Sequence, residues 1–141
     1  MTTTPTTAVT FVQAASMLAA HLADHALPEP ASLTVITRNG HPEVTAQLRS
    51  NTVPSIAADL VTWADTLSMV TVGAWRPPHG DRVHLSIRSS PTGSTGPVGL
   101  HVFGGADHDP RRFADLEAGD QRTVSLGELR TWTVSASQAK R

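Results

Sequence analysis

The chain has 141 residues, contains no cysteine and carries a formal net charge of -1 at pH 7. This length suits one domain with one core, and the absence of cysteine excludes disulfides, thiolate metal sites and a cysteine nucleophile. A near-neutral chain has no long-range positive electrostatic field to attract a phosphate backbone, so nucleic acid is disfavoured as a partner.

The composition of both ends predicts polar tails. Residues 1–7 are rich in threonine and have little to bury, so we expect a disordered tail there and a solvated tail over residues 135–141. A single domain is expected between them, over residues 8–134. No run approaches the roughly 18 consecutive apolar residues of a membrane span, and no basic segment typical of a secretion signal is present. The sequence therefore predicts a cytoplasmic protein with no membrane association.

The first part of the domain predicts a helix and a tight hairpin. Apolar residues recur at helical spacing between Val9 and Asp24. Two segments with alternating polarity follow, Ala31–Arg38 and Glu43–Arg49, and Asn39-Gly40 between them accepts the positive φ angles of a type I′ turn. The expected helix stripe is Phe11, Ala15, Leu18 and Leu22, and the expected strand pairs are Val35 with Val44 and Leu33 with Ala46.

A second helix and a three-stranded meander are predicted next. Pro54 suits a first helical turn, and apolar residues follow it at helical spacing. The three strands are then expected at Met69–Trp75, Arg82–Arg88 and Val98–Phe103, with a flexible loop before the last. The helix stripe is Ile56, Leu60, Trp63 and Leu67. The expected strand pairs are Val72 with Leu85, Val70 with Ile87, Leu85 with Leu100, and His84 with His101.

The C-terminal part predicts mainly short helices. Gly104-Gly105 is expected to end the last strand, and Pro110–Leu116 is a candidate helix. Ser125 and Glu128 have the spacing of a capping box, which predicts the start of a final helix. The fold expected is thus one α+β domain with an antiparallel five-stranded sheet, in the order helix, strand, strand, helix, strand, strand, strand. Two helices cover one face, and a helical segment follows at the C-terminus.

The uncovered face of this sheet is the candidate binding surface. Side chains of the meander that alternate with the core residues share that face, and Gly73 and Gly99 would leave a shallow trough among them. Such a trough can hold a planar or anionic group. The alternative is a half-exposed face that meets only water, which antiparallel sheets tolerate. The candidate binding residues are Trp75, His84, Arg88, His101 and Phe103.

A metal site is the second hypothesis. Imidazole and carboxylate are natural ligands of zinc and manganese, and a metal-dependent hydrolase or lyase would use His84, His101, Asp107 and His108. The competing interpretation is that Asp107-His108-Asp109-Pro110 is a turn whose aspartates cap the helix starting near Pro110. No His-Glu-x-x-His pattern or phosphate-binding loop is present, so no cofactor is expected.

The functional hypothesis from sequence is a noncatalytic binding or regulatory module that uses the open sheet face and self-associates. No serine in a Gly-x-Ser-x-Gly turn, and no catalytic set, is identified. A homo-oligomer or another protein is the expected partner, and a small ligand is possible. The metal-dependent enzyme is the main alternative, and a nucleic-acid-binding sheet is a fainter one.

Overall fold

The computed structural model describes residues 11–38, 41–67, 69–89 and 99–133. These residues form an α+β fold with a six-stranded sheet in the order β1-β2-β5-β4-β3-β6. Its elements in chain order are α1 Phe11–His25, β1 Ser32–Arg38, β2 His41–Gln47, α2 Val53–Ala64, β3 Thr71–Trp75, β4 Arg82–Ser89, β5 Gly99–Asp107, β6 Gln121–Val124 and α3 Leu126–Thr131. None of the helices in these ranges is long and apolar enough to cross a membrane.

The sheet confirms the predicted class but corrects its details. The expectation of five antiparallel strands is wrong, because β2 and β5 pair in parallel, with Val44 opposite Leu100. This follows from the chain path: α2, β3 and β4 intervene, and β5 returns beside β2 in the same direction. The sixth strand, β6, pairs with β3 and was not predicted, since a segment of 4 residues has too short an alternating pattern.

The first hairpin has the predicted register. Val35 lies opposite Val44, and Leu33 lies opposite Ala46. Asn39 and Gly40, which carry the turn prediction, lie outside the described residues. The agreement of the flanking strands is what a two-residue connection requires, because a short loop leaves little freedom for register shifts.

The registers predicted for the meander are wrong, although the faces are correct. Val72 lies opposite Ile87, two positions from the expected partner, and Leu85 lies opposite Gly104, four positions away. The second shift arises because β5 does not end at Gly104-Gly105 but continues to Asp107. Even-numbered shifts keep each side chain on its original face, since the pleat alternates with a period of two.

The core lies between the sheet and the helices. Ile56, Leu60 and Trp63 of α2 are fully buried, as their spacing predicts. In α1 the buried stripe includes Ala14, whereas Ala15, expected in the core, is exposed. Gly104 allows the close approach of α2, because a Cβ there would lie only 3.0 Å from Ile56 Cγ1.

The C-terminal segment packs on the core with less helix than predicted. Residues 110–116 form turns instead of a helix, yet Phe113 and Leu116 are buried. Asp109 stabilises the first turn by accepting a hydrogen bond from the Arg111 amide at 3.0 Å. α3 begins as predicted, because the Ser125 side chain accepts a bond from the Glu128 amide at 3.0 Å. Its C-cap Trp132 packs edge-on against Phe113.

Candidate functional site

The candidate site is the sheet face opposite the helices, which we call the open face. Along β3, β4 and β5, buried side chains on the helix side alternate with half-buried or exposed ones on the other side. α1 packs on β1 and β2, and α2 packs on β4 and β5. The open face is therefore the side of the sheet where the described helices provide no cover.

A line of four aromatic rings crosses the open face, and we call it the ring row. The Trp75 indole lies 5.4 Å from the His84 ring, and His84 lies 6.1 Å from Phe103, measured between ring centroids. Phe103 then stacks on His101, with the centroids 5.4 Å apart and the planes 22° apart. Trp75 is 42% exposed at one end of the row. The row thus places aromatic surface on the side of the sheet away from the described helices.

The ring row corrects the pairing of histidines expected from the sequence. His84 lies opposite Gly105, and His101 lies opposite Arg88, so the two imidazoles are not cross-strand neighbours. Phe103 stands between them and contacts both. The two histidines share one face, as the alternation predicts. They are linked through Phe103 and not by direct contact.

The register on which the expected trough rests is also wrong, because Ser86 lies opposite Phe103 and not opposite Gly99. Gly73 lies opposite Ser86, whose hydroxyl would be 3.6 Å from a Cβ at that position. Gly99 lies opposite Glu43 on β2, and a Cβ at Gly99 would be 3.4 Å from Glu43 Cγ. The space above Gly99 is thus filled by the Glu43 side chain.

Glu43 is a residue of the open face that sequence reasoning missed. Its side chain is only 11% exposed, and its Oε1 accepts a hydrogen bond from Arg88 Nη1 at 3.1 Å. The signal was available in the alternation of β2, where Glu43 precedes the core residue Val44. Its partner could not be found, because the pairing of β2 with β5 depends on the parallel crossover.

A second ion pair lies at the other end of the open face. Arg82 Nη1 lies 3.0 Å from Asp107 Oδ1, and both side chains are largely exposed, at 47% and 93%. With Arg88 and Glu43, the two ion pairs balance two positive charges against two negative ones. These four paired side chains therefore do not supply the positive field that a nucleic-acid surface requires.

Burial changes the titration of one ring in the row. Partial burial lowers the pKa of His84 from its usual value of 6.5, and the positive charge of Arg82 lowers it further. His84 is therefore neutral at pH 7, and the centre of the ring row carries no charge.

The residues of the metal hypothesis do not converge. Asp107 pairs with Arg82, while the His108 ring lies within 3.3 Å of the Phe113 carbonyl oxygen and 3.7 Å of Asp81. His84 stands in the ring row, opposite Gly105. Within the ranges that the structure describes, no group of three or more His, Asp or Glu side chains is arranged to hold a metal ion.

The comparisons with known proteins give no match. No protein-family model, no curated protein and no solved structure shows significant similarity to this chain.

Proposed function

We propose that this protein is a noncatalytic binding module that self-associates through its open face, with a second copy of the chain as the partner. The observation that carries the proposal is the ring row, in which Trp75, His84, Phe103 and His101 form continuous aromatic contacts on the face away from the helices. Aromatic residues at the centre of a surface are the typical anchors of protein interfaces.

Charge complementarity favours a second copy as the occupant. Each of the two ion pairs places a positive charge beside a negative one, so a second copy can meet these charges with charges of the opposite sign. An interface between two copies related by a twofold axis must be self-complementary. A face with a neutral aromatic centre and charges of both signs around it meets that requirement.

The size of the face indicates weak association. Six strands spaced about 4.8 Å apart, with lengths of about 20 Å, give a flat footprint of roughly 500 Å² per copy. Standard interfaces bury about 800 Å² per partner, and smaller ones are typical of transient complexes. We therefore expect reversible association that depends on the protein concentration.

The proposal includes a cytoplasmic location. A chain with no cysteine relies on packing alone and gains nothing from an oxidising compartment.

Sedimentation velocity over a series of protein concentrations tests the proposal. The weight-average mass should rise with concentration, and Trp75→Ala or Phe103→Ala should each weaken the association by about tenfold or more. Val12→Ala is a matched control, because Val12 is an exposed apolar residue on α1. A wild-type mass that stays at one chain throughout, or ring-row variants that behave like Val12→Ala, would overturn the proposal.

A further inference from the structure

Among the described strands, β1 is an edge strand with one backbone side unpaired. It stands at one end of the sheet order, and its 7 residues, SLTVITR, pair only with β2 among the described strands. Leu33 and Ile36, on its two faces, are 45% and 37% exposed. Such an edge offers a row of free amide and carbonyl groups to another strand.

The devices that normally protect a sheet edge are missing from β1. Its sequence contains no proline, its only charge is Arg38 at the end, and its register with β2 runs without a bulge. The opposite edge differs. β6 has 4 residues, contains Arg122 in its middle, and leads directly into α3. Within the part of the chain that the structure describes, the β6 edge is thus protected and the β1 edge is open.

We propose that β1 pairs antiparallel with β1 of a second copy, with Val35 on the twofold axis. This register pairs all seven residues of the strand, whereas any other centre leaves some of them unpaired. Thr34 then lies opposite Ile36 of the second copy, and Arg38 lies opposite Ser32, so no like charges face each other. The exposed Leu33 and Ile36 side chains gain cross-strand neighbours in the joined sheet.

This pairing uses the backbone edge of β1 and does not involve the ring row, although Thr34 and Ile36 lie on the same side of the sheet as Glu43. The twofold axis of two joined edges is perpendicular to the sheet, whereas that of two packed faces is parallel to it. Perpendicular twofold axes that intersect generate a closed tetramer. The edge pairing stands without the proposed function, and only the tetramer rests on both.

A single cysteine tests the edge pairing and its register. The chain contains no cysteine of its own, so Val35→Cys introduces one thiol per copy. Opposed residues in an antiparallel pair have Cα atoms about 4.5–5.5 Å apart, within the range of a disulfide. Mild oxidation should give a covalent dimer as the main product. Ala19→Cys, exposed on α1, is the control and should stay mostly monomeric. Equal crosslinking of the two variants would overturn the pairing.

Charge variants distinguish this proposal from the open-face proposal. Lysines introduced at both Leu33 and Thr37, positions that alternate with Thr34 and Ile36 and so lie on the helix side of the sheet, should abolish edge pairing, because like charges would face each other twice across the axis. Leu33→Glu with Thr37→Lys should preserve it, because opposite charges would then meet. Ala15→Lys with Ala19→Lys adds the same charge to an exposed part of α1 and should leave the mass unchanged.

The two proposals can fail separately. Trp75→Ala should lower the mass of the assembly but leave the Val35→Cys crosslink intact, because the edge does not involve the ring row. If the weight-average mass is unchanged in the variant with two lysines in β1 but falls in Trp75→Ala, the edge pairing is overturned and the open-face association is supported. Circular dichroism should show that every variant keeps the wild-type fold.

Discussion

The Arg88 guanidinium on β4 and the Glu43 carboxylate on β2 meet at 3.1 Å across the intervening strand β5. Gly99 of β5 lies opposite Glu43, and a Cβ there would lie 3.4 Å from Glu43 Cγ. A larger side chain at this position would compete with the carboxylate for space. The ion pair thus links two strands that share no backbone hydrogen bonds and spans the parallel pairing at the centre of the sheet.

Removing Arg88 should destabilise the fold measurably. Arg88→Ala removes a cationic partner of the nearly buried Glu43, and since Arg88 itself is half-exposed we expect a loss of about 1 kcal/mol in unfolding free energy. Arg82→Ala is the control, because its ion pair with Asp107 is largely exposed and should cost less than about 0.5 kcal/mol. Urea denaturation measures both. Equal losses would contradict the special role of the Arg88 pair.

Two adjacent glycines should respond differently to the same substitution. Gly104→Ala places a methyl group 3.0 to 3.2 Å from three carbon atoms of the fully buried Ile56, and overpacking of this kind costs about 1–3 kcal/mol. Gly105→Ala faces the open side, where Arg82 and His84 side chains at 3.3 Å can move away. Thermal unfolding should show a clear drop for the first variant only. The reverse order would contradict the assignment of these two faces.

The cap of α3 should contribute to stability. Ser125→Ala removes the acceptor of the Glu128 amide and should lower the unfolding free energy by about 1 kcal/mol. Ser125→Asp retains an acceptor at the same position and should behave like the wild type. Chemical denaturation of both variants checks the prediction, and a loss of the same size in each would show that the cap is not the cause.

The stability of the protein should fall in mild acid. Burial is the largest cause that lowers the pKa values of His21 and His84 from 6.5, so the unfolded chain takes up protons at a higher pH than the folded one. The contribution of these two histidines to the free energy of unfolding is therefore fully present well above pH 6.5. It is lost as the pH falls below 6.5. His84→Gln should reduce this dependence. Denaturation curves between pH 7.5 and about pH 5 measure it, and an unchanged slope in His84→Gln would contradict the role of His84.

The sequence predicted which residues share a face more accurately than which residues pair. Period-two alternation placed Trp75, His84, Arg88, His101 and Phe103 on the open side, because a strand cannot change that assignment without shifting by an odd number of residues. The register of β1 with β2 was also correct, because only Asn39-Gly40 connects them. Local geometry was sufficient in both cases.

Long-range contacts were not predictable in the same way. The segment between β4 and β5 is too long to fix the register of the two strands. From sequence, Gly104-Gly105 is typical of a turn, whereas in the structure Gly104 lies within β5 and packs against Ile56. The parallel pairing that brings Glu43 to Arg88 depends on the path of the whole chain. The order of the rings in the ring row follows from the corrected register. The sequence predicted which residues belong to it but not which rings are neighbours.

Collisional quenching of tryptophan fluorescence by acrylamide tests the self-association of the open face most directly. Trp75 is 42% exposed, whereas Trp63 and Trp132 are 0% and 6% exposed, so Trp75 dominates the accessible signal. If two open faces pack together, the quenching constant should fall as the protein concentration rises, in step with the increase in mass. A quenching constant that stays the same while the mass increases would show that the copies associate elsewhere and would contradict the account.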